Sequence, residues 1–136
     1  MARCIALDVG GKRTGIAVSN VDMTIAFPLA TIPTQNLLPY LKTYFSKEIV
    51  NKILVGYPLD LNNKITHGTK IVEQIIVSLQ KEFPTMKIIT IDEKFSSKIA
   101  QYFISQMGLK KSVRRDKSLI DKTAATLLLQ DYINFQ

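Results

Sequence analysis

The first quarter of the chain leaves no room for a helix between its apolar segments, and no other feature constrains the fold as tightly. Residues 3–7 (RCIAL) and 14–18 (TGIAV) read as short strands separated by DVGGKR, a turn with two glycines. Residues 24–32 (TIAFPLATI) read as a third strand, with Pro28 marking an edge or a bulge. Strands joined by such short links pair antiparallel. The pattern then changes. Leu37, Leu38, Leu41, Tyr44 and Phe45 recur at helical spacing, and NKILVGYP follows as an apolar strand ending at Gly56. A second helix puts Val72, Ile75, Ile76 and Leu79 on one face, with Phe83 at its end and Pro84 as its stop. MKIITI (86–91) is the next strand. A third helix, 96–107, places Ile99, Tyr102, Phe103 and Met107 on one side, with Gly108 as a C-terminal cap. The basic stretch KKSVRRDK (110–117) leads into a last helix beginning near Ser118. The order βββαβαβαα predicts one α/β domain over residues 1–136. Its mixed five-stranded sheet has three antiparallel then two parallel strands, with helices on both faces.

Hydrophobic residues make up 46% of the 136, enough for a core and against disorder. No apolar run approaches the roughly 20 residues that span a bilayer, and MARCIALDVG does not read as a signal peptide. A single cysteine, Cys4, excludes an internal disulfide and a Cys-rich zinc site; its apolar neighbours make it a buried thiol in a reduced, cytoplasmic setting. Lys and Arg number 18 against 11 acids, a formal charge of +7. That excess suits a polyanion such as nucleic acid, and equally a surface that keeps the protein soluble.

Three acidic points fall at element ends. Asp8 follows an apolar strand and precedes a glycine turn, either as a ligand at the sheet's C-terminal edge or as the start of a hairpin turn. Gly10 and Gly11 let backbone approach a phosphate, and Gly15 permits close packing. Asp92 and Glu93 end the strand MKIITI, and only one of the two can readily face Asp8, because neighbours on a strand point oppositely. Capping by Ser96 or Ser97 explains the serines but not the acidic pair. Asp121, in the first turn of the last helix, shares a face with Ala124, Ala125 and Leu128; a buried aspartate there calls for a cation or partner, while the helix dipole is the alternative reason for it. Asp8, Glu93 and Asp121 together suit a hard divalent cation, Mg²⁺ or Mn²⁺. Two such ions about 4 Å apart cleave phosphodiesters by activating water and stabilising the leaving oxygen. The expected catalytic and metal-binding residues are therefore Asp8, Glu93 and Asp121.

Four ordered motifs then carry a resemblance over essentially the whole chain: ALDVGGKRTGIAVS at 6–19, ILVGYPLDLNN at 53–63, TIDEKFSS at 90–97 and SLIDKTAATLLLQDY at 118–132. They resemble the YqgF-type pre-16S ribosomal RNA nucleases, also called Holliday junction resolvase-like proteins. The resemblance implies a ribonuclease H-like fold, whose architecture the element order also matches, a cytoplasmic location, and maturation of the 5′ end of 16S ribosomal RNA. The family's acids fall on Asp8, Glu93 and Asp121. Lys94 stands where arginine is usual, keeping the charge but losing the bidentate fork, and Asn63 stands where a glycine is common.

Around the acids, Lys12, Arg13, Lys94, Lys110, Lys111, Arg114 and Arg115 are candidates for phosphate contact, and Tyr57 for stacking on a base, unless it simply closes the core edge. Asp60 reads as a turn residue or a further ligand, and His67 as a solvent-exposed loop residue. The expected partner is pre-16S RNA, with branched DNA as the alternative, no membrane, and a monomeric or weakly dimeric state. The rival functions are a Holliday junction resolvase, which needs a symmetric dimer, and a nucleic-acid-binding module without catalysis. DVGGKRTG also resembles the first phosphate loop of the actin and sugar-kinase superfamily, but those proteins close two such domains around ATP.

Overall fold

The computed structural model of the protein describes residues 2–57, 67–92 and 117–135. Strands β1 (Arg3–Val9), β2 (Arg13–Ser19) and β3 (Ala26–Pro33) come first, and a 3₁₀ turn at Thr34–Asn36 leads into helix α1 (Leu37–Lys47). Strand β4 (Val50–Tyr57), helix α2 (His67–Glu82), strand β5 (Lys87–Asp92) and helix α3 (Lys117–Asn134) follow. The sheet runs β3-β2-β1-β4-β5. β2 is antiparallel to both β1 and β3, while β4 is parallel to β1 and β5 to β4, as the strand order predicts.

Alternation along each strand sorts the side chains into two layers. Ile5, Leu7 and Val9 of β1, Ile16 of β2, and Ile53 and Val55 of β4 pack under Leu37 and Leu41 of α1 and Val72 and Leu79 of α2. The opposite residues, Cys4, Ala6, Ala17 and Leu54, pack under Ala125 and Leu129 of α3. Helices therefore cover both faces. The α3 layer is built from small residues on β1 and β2, which lets that helix lie close to the sheet. Each fully buried Leu or Ile contributes about 1.5–3 kcal/mol relative to exposure.

Pro28 sits where β3 is the edge strand and where its register with β2 shifts, between the pairs Ile16–Ala30 and Ala17–Pro28, so it marks both an edge and a bulge. At its start the edge is closed by α3: Gln130 Oε1 accepts the Ala26 amide at 2.9 Å, and Gln130 Nε2 donates to the Thr24 carbonyl at 3.3 Å. Cys4 is fully buried, its amide donating to Ser19 Oγ at 2.9 Å, and burial pushes its thiol up to about 12.

Several boundaries differ from the sequence reading. β1 continues through Asp8 and Val9, because Asp8 pairs with Gly15 and Val9 with Thr14; backbone pairing is indifferent to a polar side chain. Likewise β4 runs to Tyr57 and β5 to Asp92, paired with one another. His67, expected in a loop, is the first residue of α2. α3 begins at Lys117, so Asp121 lies beyond its first turn, where the helix dipole no longer accounts for it. The predicted helix at 96–107 and the basic residues 110–116 lie outside the described residues.

Candidate active site

Asp8 has the parity of Cys4 and Ala6, so it stands on the α3 face of the sheet, near the C-terminal end of β1. Its pairing partner on β2 is Gly15. A Cβ at Gly15 would fall 2.0 Å from the backbone oxygen of Asp121 and 2.3 Å from its carbonyl carbon. Only a residue without a side chain lets the α3 backbone settle there, and this close approach brings Asp121 beside Asp8. The close packing expected of Gly15 is thus what assembles the acids.

Asp8 and Asp121 line one cleft of about 440 Å³, with Val9, Gly10, Gly11, Lys12 and Arg13 completing its wall. Both aspartates are half-buried, and Lys12 is exposed. Arg13, which shares the α3 face with Gly15 and Ala17, donates from Nε to Asp121 Oδ2 at 3.1 Å. The cation that a half-buried aspartate requires is, in this structure, a guanidinium from the neighbouring strand.

The turn between β1 and β2 is held from three sides. Gly10 donates its amide to the Arg13 carbonyl at 2.8 Å, and a Cβ at Gly10 would come within 2.8 Å of that same oxygen. Thr34 donates its amide to the Lys12 carbonyl at 2.9 Å and its hydroxyl to the Gly10 carbonyl at 2.6 Å. The same Thr34 Oγ1 lies 2.9 Å from Thr14 Oγ1. Sequence reasoning missed Thr34 and Thr14. The one signal was a hydroxyl residue at the end of a strand, which is too common to single out.

The structure brings together Asp8, Asp121, Lys12 and Arg13. It separates Tyr57 from them: its ring shares the phase of Ile53 and Val55, packs with the α1–α2 layer, and lies on the opposite face of the sheet from Asp8. Its hydroxyl donates to Glu73 Oε1 on α2, which raises the phenol above its ordinary range. That favours the core-edge role over base stacking in this cleft. Glu93, Lys94, Asp60, Lys110, Lys111, Arg114 and Arg115 lie outside the described residues, and among the described residues no three His, Cys, Asp or Glu side chains gather as a metal site. The two carboxylates that do share the cleft are hard oxygen donors of the kind Mg²⁺ and Mn²⁺ take, and Asp121 already holds a cationic group. These two oxygen donors fit a divalent cation. No helix among the described residues is long and apolar enough to cross a membrane.

Comparison with known proteins gives a consistent picture. A "Putative pre-16S rRNA nuclease" of Bacteroides fragilis is 41% identical over 133 residues, covering 98% of this chain and 96% of that protein. One of the same description from Flavobacterium johnsoniae is 41% identical over 134 residues, covering 98% and 97%. Among solved structures, T. thermophilus RuvC in complex with a Holliday junction substrate superposes with a TM-score of 0.57 at 14% identity, over 99% of this chain and 98% of that one, which identifies the fold as ribonuclease H-like. The profile of the RuvX family, described as Holliday junction resolvase, matches residues 2–135. With that match and with relatives so similar along nearly their whole length, the chain belongs to the RuvX family.

Proposed function

We propose that this protein is a metal-dependent nuclease that processes the 5′ end of pre-16S ribosomal RNA in the cytoplasm. The observation that carries the reading is the meeting of Asp8 and Asp121, from opposite ends of the chain, in one cleft whose rim is the basic turn Lys12–Arg13. The names of the relatives support RNA as the substrate class.

Asp8 and Asp121 would hold the cation, with Glu93 as the third carboxylate. Glu93 rather than Asp92 is favoured by phase: it is two and four residues beyond Ile91 and Ile89, which pack with the α3 layer that Asp8 also faces. A bound Mg²⁺ or Mn²⁺ supplies activation of the attacking water and stabilisation of the leaving oxygen. The chain's own part is to bind and orient the substrate. Lys12 offers a mobile positive charge at the mouth of the cleft, and the Gly10–Gly11 turn, pinned by Thr34, presents a fixed backbone to a phosphate. Lys94, Lys110, Lys111, Arg114 and Arg115 are assigned to the rest of the polyanion, the protein acting as a monomer or weak homodimer.

Incubation with precursor 16S RNA and with a four-way DNA junction, each with Mn²⁺ or Mg²⁺, tests the reading. The expected result is metal-dependent trimming of the RNA precursor that Asp8→Asn abolishes without unfolding the protein. Preferential cutting of the junction would transfer the function to resolution of branched DNA. Binding of RNA with no cleavage under either metal would make the protein a non-catalytic binding module.

A further inference from the structure

Arg13 and Asp121 form an ion pair inside the cleft where the cation would sit, which raises the question of what the guanidinium does when a cation arrives. We infer that Arg13 is a displaceable counter-ion: it holds the Asp121 carboxylate while the metal is absent and is released toward the polyanion when the metal takes that oxygen. This rests on the metal-site reading above and adds to it a positioning role for Arg13 that links metal binding to substrate binding.

The two partners are not equally free to move. Asp121 is fixed through its backbone, seated against Gly15 with no space for even a methyl group between them. Arg13 is anchored through its backbone, where its carbonyl accepts the Gly10 amide at 2.8 Å and the strand pairs with Pro33, while its side chain is held by the bond to Asp121. Beyond that the side chain is long and 38% exposed, against 21% for Asp121. When the pair opens, Arg13 is therefore the member that swings, and it swings within the cleft it already lines beside Asp8 and Lys12.

The competition favours the metal. A half-exposed ion pair through a single nitrogen is weak because water screens it and ordering two side chains opposes it. A divalent cation on two carboxylates carries twice the charge and repels the guanidinium from the same oxygen. Once released, the planar fork suits two oxygens of a phosphate, which a lysine does not match. Because the metal sets Arg13 free, metal and polyanion should strengthen one another's binding reciprocally.

The test is titration of Mn²⁺ into wild type, Arg13→Gln, Arg13→Lys and Asp8→Asn in the absence of nucleic acid, read by calorimetry. Arg13→Gln, with no competing charge, should bind Mn²⁺ about two- to fivefold more tightly than wild type. Arg13→Lys should stay near wild type. In wild type, the NMR signal of the Arg13 Nε–H should shift and exchange faster with water when Mg²⁺ is added, a readout that needs no variant. Equal or weaker binding by Arg13→Gln, or an Nε–H signal indifferent to Mg²⁺, overturns the role of Arg13 alone, provided that wild type binds Mn²⁺ more tightly than Asp8→Asn does. If those two bind alike, the metal site itself fails and the inference fails with it.

Discussion

Cys4 and Asp121 are both polar groups set into the α3 layer, and the chain treats them oppositely. Cys4 is sealed under α3 with its thiol pushed up to about 12 from an ordinary value of 9.0, so it stays neutral and inert. The unfolded thiol ionises as pH rises past about 9 while the folded one does not, so the unfolded state binds fewer protons there and stability falls with pH. This contribution is fully present below pH 9 and is lost toward pH 12. Relative to Cys4→Ala, wild type should lose up to about 1.4 kcal/mol per pH unit in that window. Denaturant titrations at several pH values would show it, and a pH-independent difference would contradict it. Asp121 instead keeps a foothold in the cleft and a cation beside it. Its character was legible in the sequence, since an aspartate in phase with Ala124, Ala125 and Leu128 had to be accommodated on a buried face. Its partner was not legible, because Arg13 lies 108 residues away and only the folded chain brings the two together. Tyr57 is the converse case: the sequence left core-edge closure and base stacking open, and packing in the layer of Ile53 and Val55 favours the first.

Among the elements, the contact between β2 and α3 matters most, for it sets where Asp121 stands. Gly15→Ala would drive a methyl group into the Asp121 carbonyl, and backbone of a packed helix cannot step aside as a flexible side chain can. Overpacking of this kind costs about 1–3 kcal/mol. The accompanying shift of α3 should lower Mn²⁺-dependent cleavage by at least about tenfold, as ångström misplacements of catalytic groups do. Chemical denaturation and a cleavage assay on the same sample check both, and full activity in a destabilised Gly15→Ala would separate Asp121 from catalysis. The succession of strands and helices and the covering of both sheet faces could be read from apolar periodicity because each face is buried. Boundaries were less legible: Asp8 looks like a strand-ending residue, yet backbone pairing continues through it to Val9, whereas Asp92 does end its strand. The 3₁₀ turn at Thr34–Asn36, which braces the glycine turn, has no apolar period to announce it.

At the level of the whole molecule, the fold brings the two ends of one chain to the same edge of one sheet. β1, β4 and β5 run parallel and end at Val9, Tyr57 and Asp92, and α3 crosses the other face so that Asp121 meets Asp8. The chain carries a formal charge of +7, and the cleft sets two aspartates beside Lys12 and Arg13. This division of labour suits a polyanion held by basic side chains around a divalent cation held by carboxylates. The most direct measurement is the anomalous difference map of a crystal soaked in Mn²⁺. The account predicts a peak in the cleft about 2 Å from carboxylate oxygens of both Asp8 and Asp121, as hard-cation coordination requires, with the Arg13 guanidinium withdrawn from Oδ2. A map with no peak there, or with Mn²⁺ bound elsewhere and the Arg13–Asp121 pair intact, would contradict it.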